Sequence, residues 1–523
     1  MTTRATTEVG KALWRNAISN YGRTVLRMVL GLFMFRMLYQ HLSKEDFGLW
    51  SLLWSLFGYG VLVDFGLGFA AQKRVAELAA RENWEELGTV LSSILAFFLA
   101  VAAVVLLLAV FGSGLLLDLF KLTPGTEGRY RPVIVTFFLG LAVGFPLGVF
   151  PEILRGLQRI STVNSLVSAG LIANFLLLLM AMKLGWGLLP ILIIALACTI
   201  GPDLVCGYMA FRALPKVRVS PRLVHMATVR STMRFSVFAY LITFTNIILA
   251  KTDQLVISSC LAVSAVAIYV AGAKVSEMFS MFTRQLQDTL SPAAAHLRAL
   301  GEHEAIRRLL EQGTRLSVMI ATPLFVLCVF YMKPLIRLLT GDKSPAAEMV
   351  WVGTLLLVWH YGSIITNSVS KRVFVMCGHE RRLMWLGVWE AVGNLALSVG
   401  LVFWMRSVVG VAIGSLVPGL LFGWLYLWPW VARECGVSSW ELFRRTVLGC
   451  WLGCVPMIPC LAVMHWLGDR VPGGLFVGLA LGGCVGLASA LPGLWLWALT
   501  AEERARVQER LGKLLRRGAA AKA

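Results

Sequence analysis

Apolar runs long enough to cross a bilayer recur along the whole of this 523-residue chain, separated by short polar segments. A hydrocarbon layer roughly 30 Å thick needs about 20 apolar residues of helix. Within that layer every backbone amide and carbonyl must be bonded inside the segment, which leaves helices or closed barrels as the spanning structures. Runs of this kind lie at residues 17–40, 47–71, 89–112, 133–153, 161–184, 186–210, 235–260, 266–290, 315–338, 347–370, 382–404, 407–430, 446–467 and 474–498. They predict an all-α polytopic membrane protein of about 14 transmembrane helices without a soluble domain. Charged residues make up only 15% of the chain, against roughly 25% in a soluble domain.

The net charge of +20 is concentrated in alternate connecting segments. With the N-terminus inside, the segments 1–16, 72–88, 154–160, 211–234, 291–315, 371–382, 431–445 and 499–523 face the cytoplasm and hold 32 Lys and Arg, whereas the outer side holds 10. This bias sets both termini in the cytoplasm of a multi-pass protein, with the bacterial inner membrane as the expected location. It also explains the basic charge without nucleic acid, for which no basic stripe with interleaved aromatics exists outside the spans. Segments 72–88 and 291–315 read as short surface helices. In the first, Val75, Leu78 and Ala79 share a face. The basic tail 499–523 carries Val507, Leu511, Leu514 and Leu515 on one stripe, a pattern that suits an anionic leaflet. The N-terminal apolar run is too long for a cleaved signal and reads as a retained span.

The ten cysteines sit almost entirely within apolar runs, and the seven histidines form no ligand pattern, so no metal or other cofactor is expected. No G-x-x-x-x-G-K-[ST] occurs, which argues against an intrinsic ATPase. The longest outer loop, about 113–132, holds only Asp118 and Glu127. A membrane glycosyltransferase or polysaccharide polymerase would need a paired acidic motif there, and no catalytic residue is assigned.

Residues 42–50 lie over 261–269 at an offset of 219, with a short outer loop between two spans in both places. Copies six spans apart face the same way, which predicts two parallel six-helix lobes. The lobes occupy 1–210 and 235–430, joined by a basic cytoplasmic linker, 211–234. An extra helix pair, 431–498, precedes the tail.

Several local patterns then converge on one family. Leu42-Ser43-Lys44-Glu45-Asp46-Phe47-Gly48-Leu49-Trp50, running on to Asp64-Phe65-Gly66-Leu67-Gly68, resembles the first outer loop and second span of polysaccharide flippases. Leu154-Arg155-Gly156-Leu157-Gln158-Arg159 is similar to the turn after their fourth span, and Thr252-Asp253-Gln254-Leu255-Val256-Ile257-Ser258 to the junction of the seventh and eighth. Leu339-Thr340-Gly341-Asp342 and Cys377-Gly378-His379-Glu380-Arg381 resemble the ninth and tenth. In order and spacing the chain resembles the O-antigen and polysaccharide flippases of the multidrug/oligosaccharidyl-lipid/polysaccharide exporter superfamily. The resemblance implies two lobes around a central cavity lined by spans one, two, seven and eight. It also implies movement of an undecaprenyl-pyrophosphate-linked oligosaccharide, the unit of O-antigen or capsule, to the outer leaflet. Membrane lipids, glycosyltransferases and a polysaccharide polymerase are the implied partners. A multidrug exporter and a lipid II flippase are the alternatives within the superfamily.

A lipid-linked pyrophosphate crossing the bilayer needs an enclosed wet cavity with fixed positive charge, and Arg best matches phosphate oxygens. Arg23 and Arg27 stand one turn apart on the first span, roughly 10 and 16 Å from its cytoplasmic end. Lys274, Glu277 and Arg284 follow one stripe of the eighth span, and Lys251 lies in the seventh. Arg27, Arg23, Lys274, Arg284 and Lys251 are thus the substrate-binding candidates. Coupling needs a titratable or cation-binding group that one conformation buries. Asp64, Glu277 and Glu390 are the candidates, with Glu390 one turn from Asn394.

Overall fold

The computed structural model describes residues 2–64, 66–225, 237–288, 303–468, 474–501, 503–505 and 508–509. Among them all regular structure is helical. Two compact units divide the chain, Met1–Ala267 and Ile268–Ala523. The first contains α1 (Thr2–His41), α2 (Lys44–Val63), α3 (Leu67–Ala80), α4 (Trp84–Leu119), α5 (Glu127–Leu147), α6 (Val149–Gly156), α7 (Ile160–Lys183), α8 (Leu188–Ala213) and α9 (Val237–Cys260). The boundary falls within α10 (Val263–Asp288). The second unit continues with α11 (His303–Phe330), α12 (Met332–Thr340), α13 (Ala347–Asn367), α14 (Ser370–Met376), α15 (Glu380–Met405), α16 (Val409–Phe422) and α17 (Trp428–Glu434). It closes with α18 (Ser439–Phe443), α19 (Gly449–Cys454), α20 (Met457–Gly468) and α21 (Gly474–Gly493).

Eleven helices among the described residues are long and apolar enough to cross a membrane, so the protein is a multi-pass membrane protein. The expected spans 17–40, 47–71 and 235–260 fall on α1, α2–α3 and α9, outside those eleven. The reason is polarity and breakage. α1 carries Arg23, Arg27 and Arg36, α9 carries Lys251 and Asp253, and the α2 run is interrupted after Asp64.

The repeat is visible in where the helices start. α2 begins at Lys44 and α10 at Val263, 219 residues on, after a two-residue turn in each case. The starts of α7 and α15 (Ile160, Glu380) repeat at 220.

The first turn shows why its residues are chosen. Ser43 caps α2 by accepting from the Asp46 amide at 3.1 Å, the role its short hydroxyl suits. Glu45 accepts from the Thr123 amide and hydroxyl at 2.8 and 2.9 Å, and Asp46 receives Arg129 at 2.6 Å, which ties the loop before α5 to the start of α2. Phe47 packs edge-on against Phe35 and Tyr39. At Gly48 any Cβ would overlap the carbonyl of Val263, so the absence of a side chain permits α2 to touch the start of α10.

Three expected boundaries shift. The span 47–71 is broken at Gly66, whose φ of 75° lies in the left-handed region that favours glycine. The surface helix expected over 72–88 starts at Leu67 and stops at Ala80, and Asn83 caps a new helix, α4, by accepting from Glu86 N. Val75 and Leu78 are buried on its inner face, as the periodicity requires. The loop expected over 113–132 is shorter, because α4 runs to Leu119 and α5 starts at Glu127. Of the basic linker, 226–234 lie outside the described residues, as do Val507, Leu511, Leu514 and Leu515 of the tail.

One core of the first unit gathers Leu67, Val75 and Leu78 of α3, Leu87, Leu91 and Phe98 of α4, Phe150 and Leu154 of α6, and Cys206 and Ala210 of α8. These elements form the end of the unit on which its cavity rests. The final helices belong to the second unit. Trp451 of α19 donates to the Tyr361 hydroxyl of α13 at 2.7 Å, Arg445 lies 3.4 Å from Glu311 of α11, and Arg315 pairs with Glu503.

Candidate functional site

α2, α3, α4, α5, α6 and α8 line an open cavity of about 440 Å³ in the first unit. Its walls are mainly apolar and aromatic, with Phe57, Phe98, Leu141 and Phe145 among them, and three carboxylates enter it, Asp64, Glu152 and Asp203. Local structure places each. Asp64 is the C-cap of α2, and across the Gly66 break its Oδ1 accepts from the Gly68 amide at 3.0 Å. Glu152 lies on α6, the short helix that resumes after α5, and pairs with Arg155 one turn later. Asp203 follows Pro202 inside the otherwise apolar α8.

The cavity is an electrostatic unit. Glu152 lies close enough to influence both Asp64 and Asp203, and Arg155 offsets Asp203. Arg23 of α1 is within reach of Arg155 and of Arg27. Apolar walls strengthen every such interaction relative to water. The arrangement can therefore bind or release a proton or small cation at the carboxylates. Among the described residues no group of three His, Cys, Asp or Glu side chains converges to hold a metal.

The sequence candidates are placed as follows. Arg23 is half-buried and Arg27 exposed on α1, which packs along α7 with Asn164 donating to Ser19 Oγ at 2.9 Å. Lys251 runs its aliphatic stem across Gly58 of α2, and its carbonyl accepts from Ser55 at 3.1 Å. Beside it the Tyr59 hydroxyl is 2.8 Å from that of Thr252, and Asp253 is 6% exposed. In the second unit Lys274 pairs with Glu277 at 3.1 Å, with Glu277 half exposed. The side chain of Arg284 lies outside the described residues. Glu390 is 5% exposed on α15, within electrostatic reach of Lys371, while Asn394 one turn on donates to Ser415 Oγ at 2.9 Å.

The first unit thus brings Arg23, Arg27 and Asp64 toward one region. Glu152, Arg155 and Asp203 complete it, and sequence reading did not single them out. Asp203 had a usable signal, since an ionisable residue inside an apolar span is itself a site hypothesis. Glu152, inside the expected span 133–153, carried the same signal, whereas Arg155 read as part of an ordinary cytoplasmic turn.

Comparison with known proteins adds the family. Residues 13–295 match the family described as polysaccharide biosynthesis protein. No curated protein sequence matches. Among solved structures, the lipid II flippase MurJ in an inward closed conformation is 12% identical, with a TM-score of 0.69 over 92% of this chain and 98% of that one. An inward-facing multidrug resistance MATE family transporter of the MOP superfamily is 13% identical, with a TM-score of 0.64 over 79% and 98%. A MOP superfamily transporter from Pyrococcus furiosus is 14% identical, with a TM-score of 0.55 over 82% and 96%.

Proposed function

Because the chain belongs to the polysaccharide biosynthesis protein family, we propose that it flips an undecaprenyl-pyrophosphate-linked oligosaccharide across the bacterial cytoplasmic membrane by alternating access. Both termini then face the cytoplasm, as the distribution of Lys and Arg requires. The protein acts as a transporter and makes or breaks no covalent bond. The observation that carries this reading is the family match over residues 13–295, supported by a fold likeness to a lipid II flippase that takes in 92% of this chain and 98% of that one.

In this mechanism Arg23 and Arg27 engage the pyrophosphate as it leaves the inner leaflet, and Lys251 of the first unit and Lys274 and Arg284 of the second are the further candidate cations for it. Burying a multiply charged headgroup is tolerable only where fixed cations replace its water. Asp64, with Glu152 and Asp203 around it, takes up a proton or cation in one conformation and releases it in the other. Glu390, buried on α15, is the coupling candidate of the second unit.

The test is reconstitution in liposomes with a fluorescent lipid-linked oligosaccharide, scored by accessibility in each leaflet. Neutral Gln substitutions at Arg23, Arg27 and Lys274 together are expected to slow flipping about tenfold or more while folded protein remains. Full activity in that triple variant removes the site assignment.

One observation favours a second reading. The first-unit cavity is lined by three carboxylates, which suits a cationic compound and hence multidrug export. Uptake of a fluorescent organic cation by the same liposomes, without movement of the glycolipid, would decide for the exporter.

A further inference from the structure

The second unit contains a larger cavity, about 590 Å³, at the end where α11 stops and α13 and α21 begin. It opens between α12 and the final helices, and Lys333, Arg337, Thr354, His465 and Tyr331 supply its polar wall. Among the described residues no acidic side chain lines it. Lys333 and Arg337 are one turn apart on α12, whose opposite face buries Met332, Ile336 and Leu339, so both cations share the outer face. Neither has an ion-pair partner among the described residues. His465 of α20 closes the far side, its ring 6.0 Å from that of Tyr331.

Tyr331 marks the inner end of this cavity. It sits at the break between α11 and α12 and is 4% exposed, yet its hydroxyl has no hydrogen-bond partner among the described residues. The hydroxyl rests against Gly482 of α21, where any side chain would overlap it. A buried donor left unpaired is a standing cost that a ligand oxygen would relieve. The charge pattern points the same way. Three of the ten basic residues on the outer side, Lys333, Arg337 and Lys343, fall within eleven positions, against the bias that depletes that side of Lys and Arg.

We propose that this cavity is a binding site for a phosphate-bearing group, held by the Arg337 fork and the Lys333 ammonium with the Tyr331 hydroxyl donating from below. The group comes from a lipid headgroup of the outer leaflet or from a free phosphate anion. The site itself stands without the transport reading, and only its assignment to the outer leaflet rests on the orientation proposed above.

The full-length protein in neutral phosphatidylcholine nanodiscs would be titrated with undecaprenyl pyrophosphate and with phosphatidylglycerol. The protein in detergent would be titrated with inorganic pyrophosphate. Lys333→Gln/Arg337→Gln is expected to weaken binding at least about tenfold, and Tyr331→Phe, which keeps the ring and the fold, by a few-fold. Loss in the lipid arms with no saturable pyrophosphate binding identifies a headgroup site. Loss in the pyrophosphate arm alone identifies a free-anion site. Binding in every arm that neither variant changes overturns the proposal. Should the double variant fail to fold, Tyr331→Phe and Arg337→Lys carry the same test. The readout is binding, so a protein inactive in flipping can still pass it and an active one can fail it.

Discussion

Asp46 shows what a single residue does in this chain. Its carboxylate is 4% exposed at the first turn of α2 and holds Arg129 at 2.6 Å, while the guanidinium itself stays largely in solvent. Asp46→Asn keeps the shape and the cap amide but removes the charge. The expected cost is about 1–2 kcal/mol, nearer the low end because Arg129 is exposed, read as a lowered thermal midpoint of the purified protein in detergent. Arg129→Gln in the same background should add little, which a double-mutant cycle would check. At Asp203 the expected effect falls on function. Asp203→Asn retains volume and hydrogen bonding in the cavity wall yet cannot carry a coupling charge. Flipping driven by an imposed ion gradient should fall about tenfold or more, with the thermal midpoint within a few degrees of wild type. An unchanged gradient-driven rate would exclude Asp203 from coupling.

Among the elements, the helices are held to one another by a few polar clasps and by close backbone approaches, since lipid tails supply no hydrophobic drive between spans. The Asn164–Ser19 bond joins α7 to α1. Asn164→Ala is expected to cost about 0.6–2 kcal/mol, with a coupling to Ser19→Ala in a double-mutant cycle as the check. A larger effect is expected at the α2–α10 crossing. Gly48→Leu would force the two helices apart at Val263, and overpacking of this kind costs about 1–3 kcal/mol. The measurement is the yield of monodisperse protein, and a normal yield with unchanged midpoint would contradict the packing. The broken helices have a function in this scheme. Gly66 ends α2 so that Asp64 faces Gly68 and the cavity, and the break at Tyr331 turns α12 so that Lys333 and Arg337 share one face.

For the whole molecule, the final helices are joined to the second unit through Trp451–Tyr361, Arg445–Glu311 and Arg315–Glu503. A chain ending after Val437 would leave α11 and the Tyr361 hydroxyl uncovered, and it is expected to accumulate at a small fraction of the full-length level, as in-gel fluorescence of a fusion would report. The sequence by itself determined the membrane class, the helical content and the repeat. Each is a local property: twenty apolar residues must be helical in lipid wherever they lie, and the 219-residue offset is carried by the turn residues themselves. It also singled out Arg23, Arg27, Asp64 and Glu390 as charges within apolar runs, because such a charge is visible without a fold. Only the tertiary structure decided that Asp64 meets Glu152 and Asp203, residues about 90 and 140 positions further along. Only it decided that Tyr331 lies buried in one cavity wall with Lys333 and Arg337. Helical periodicity gives the face on which a residue stands. What that face meets is set by how helices distant in sequence pack, and no local pattern encodes it.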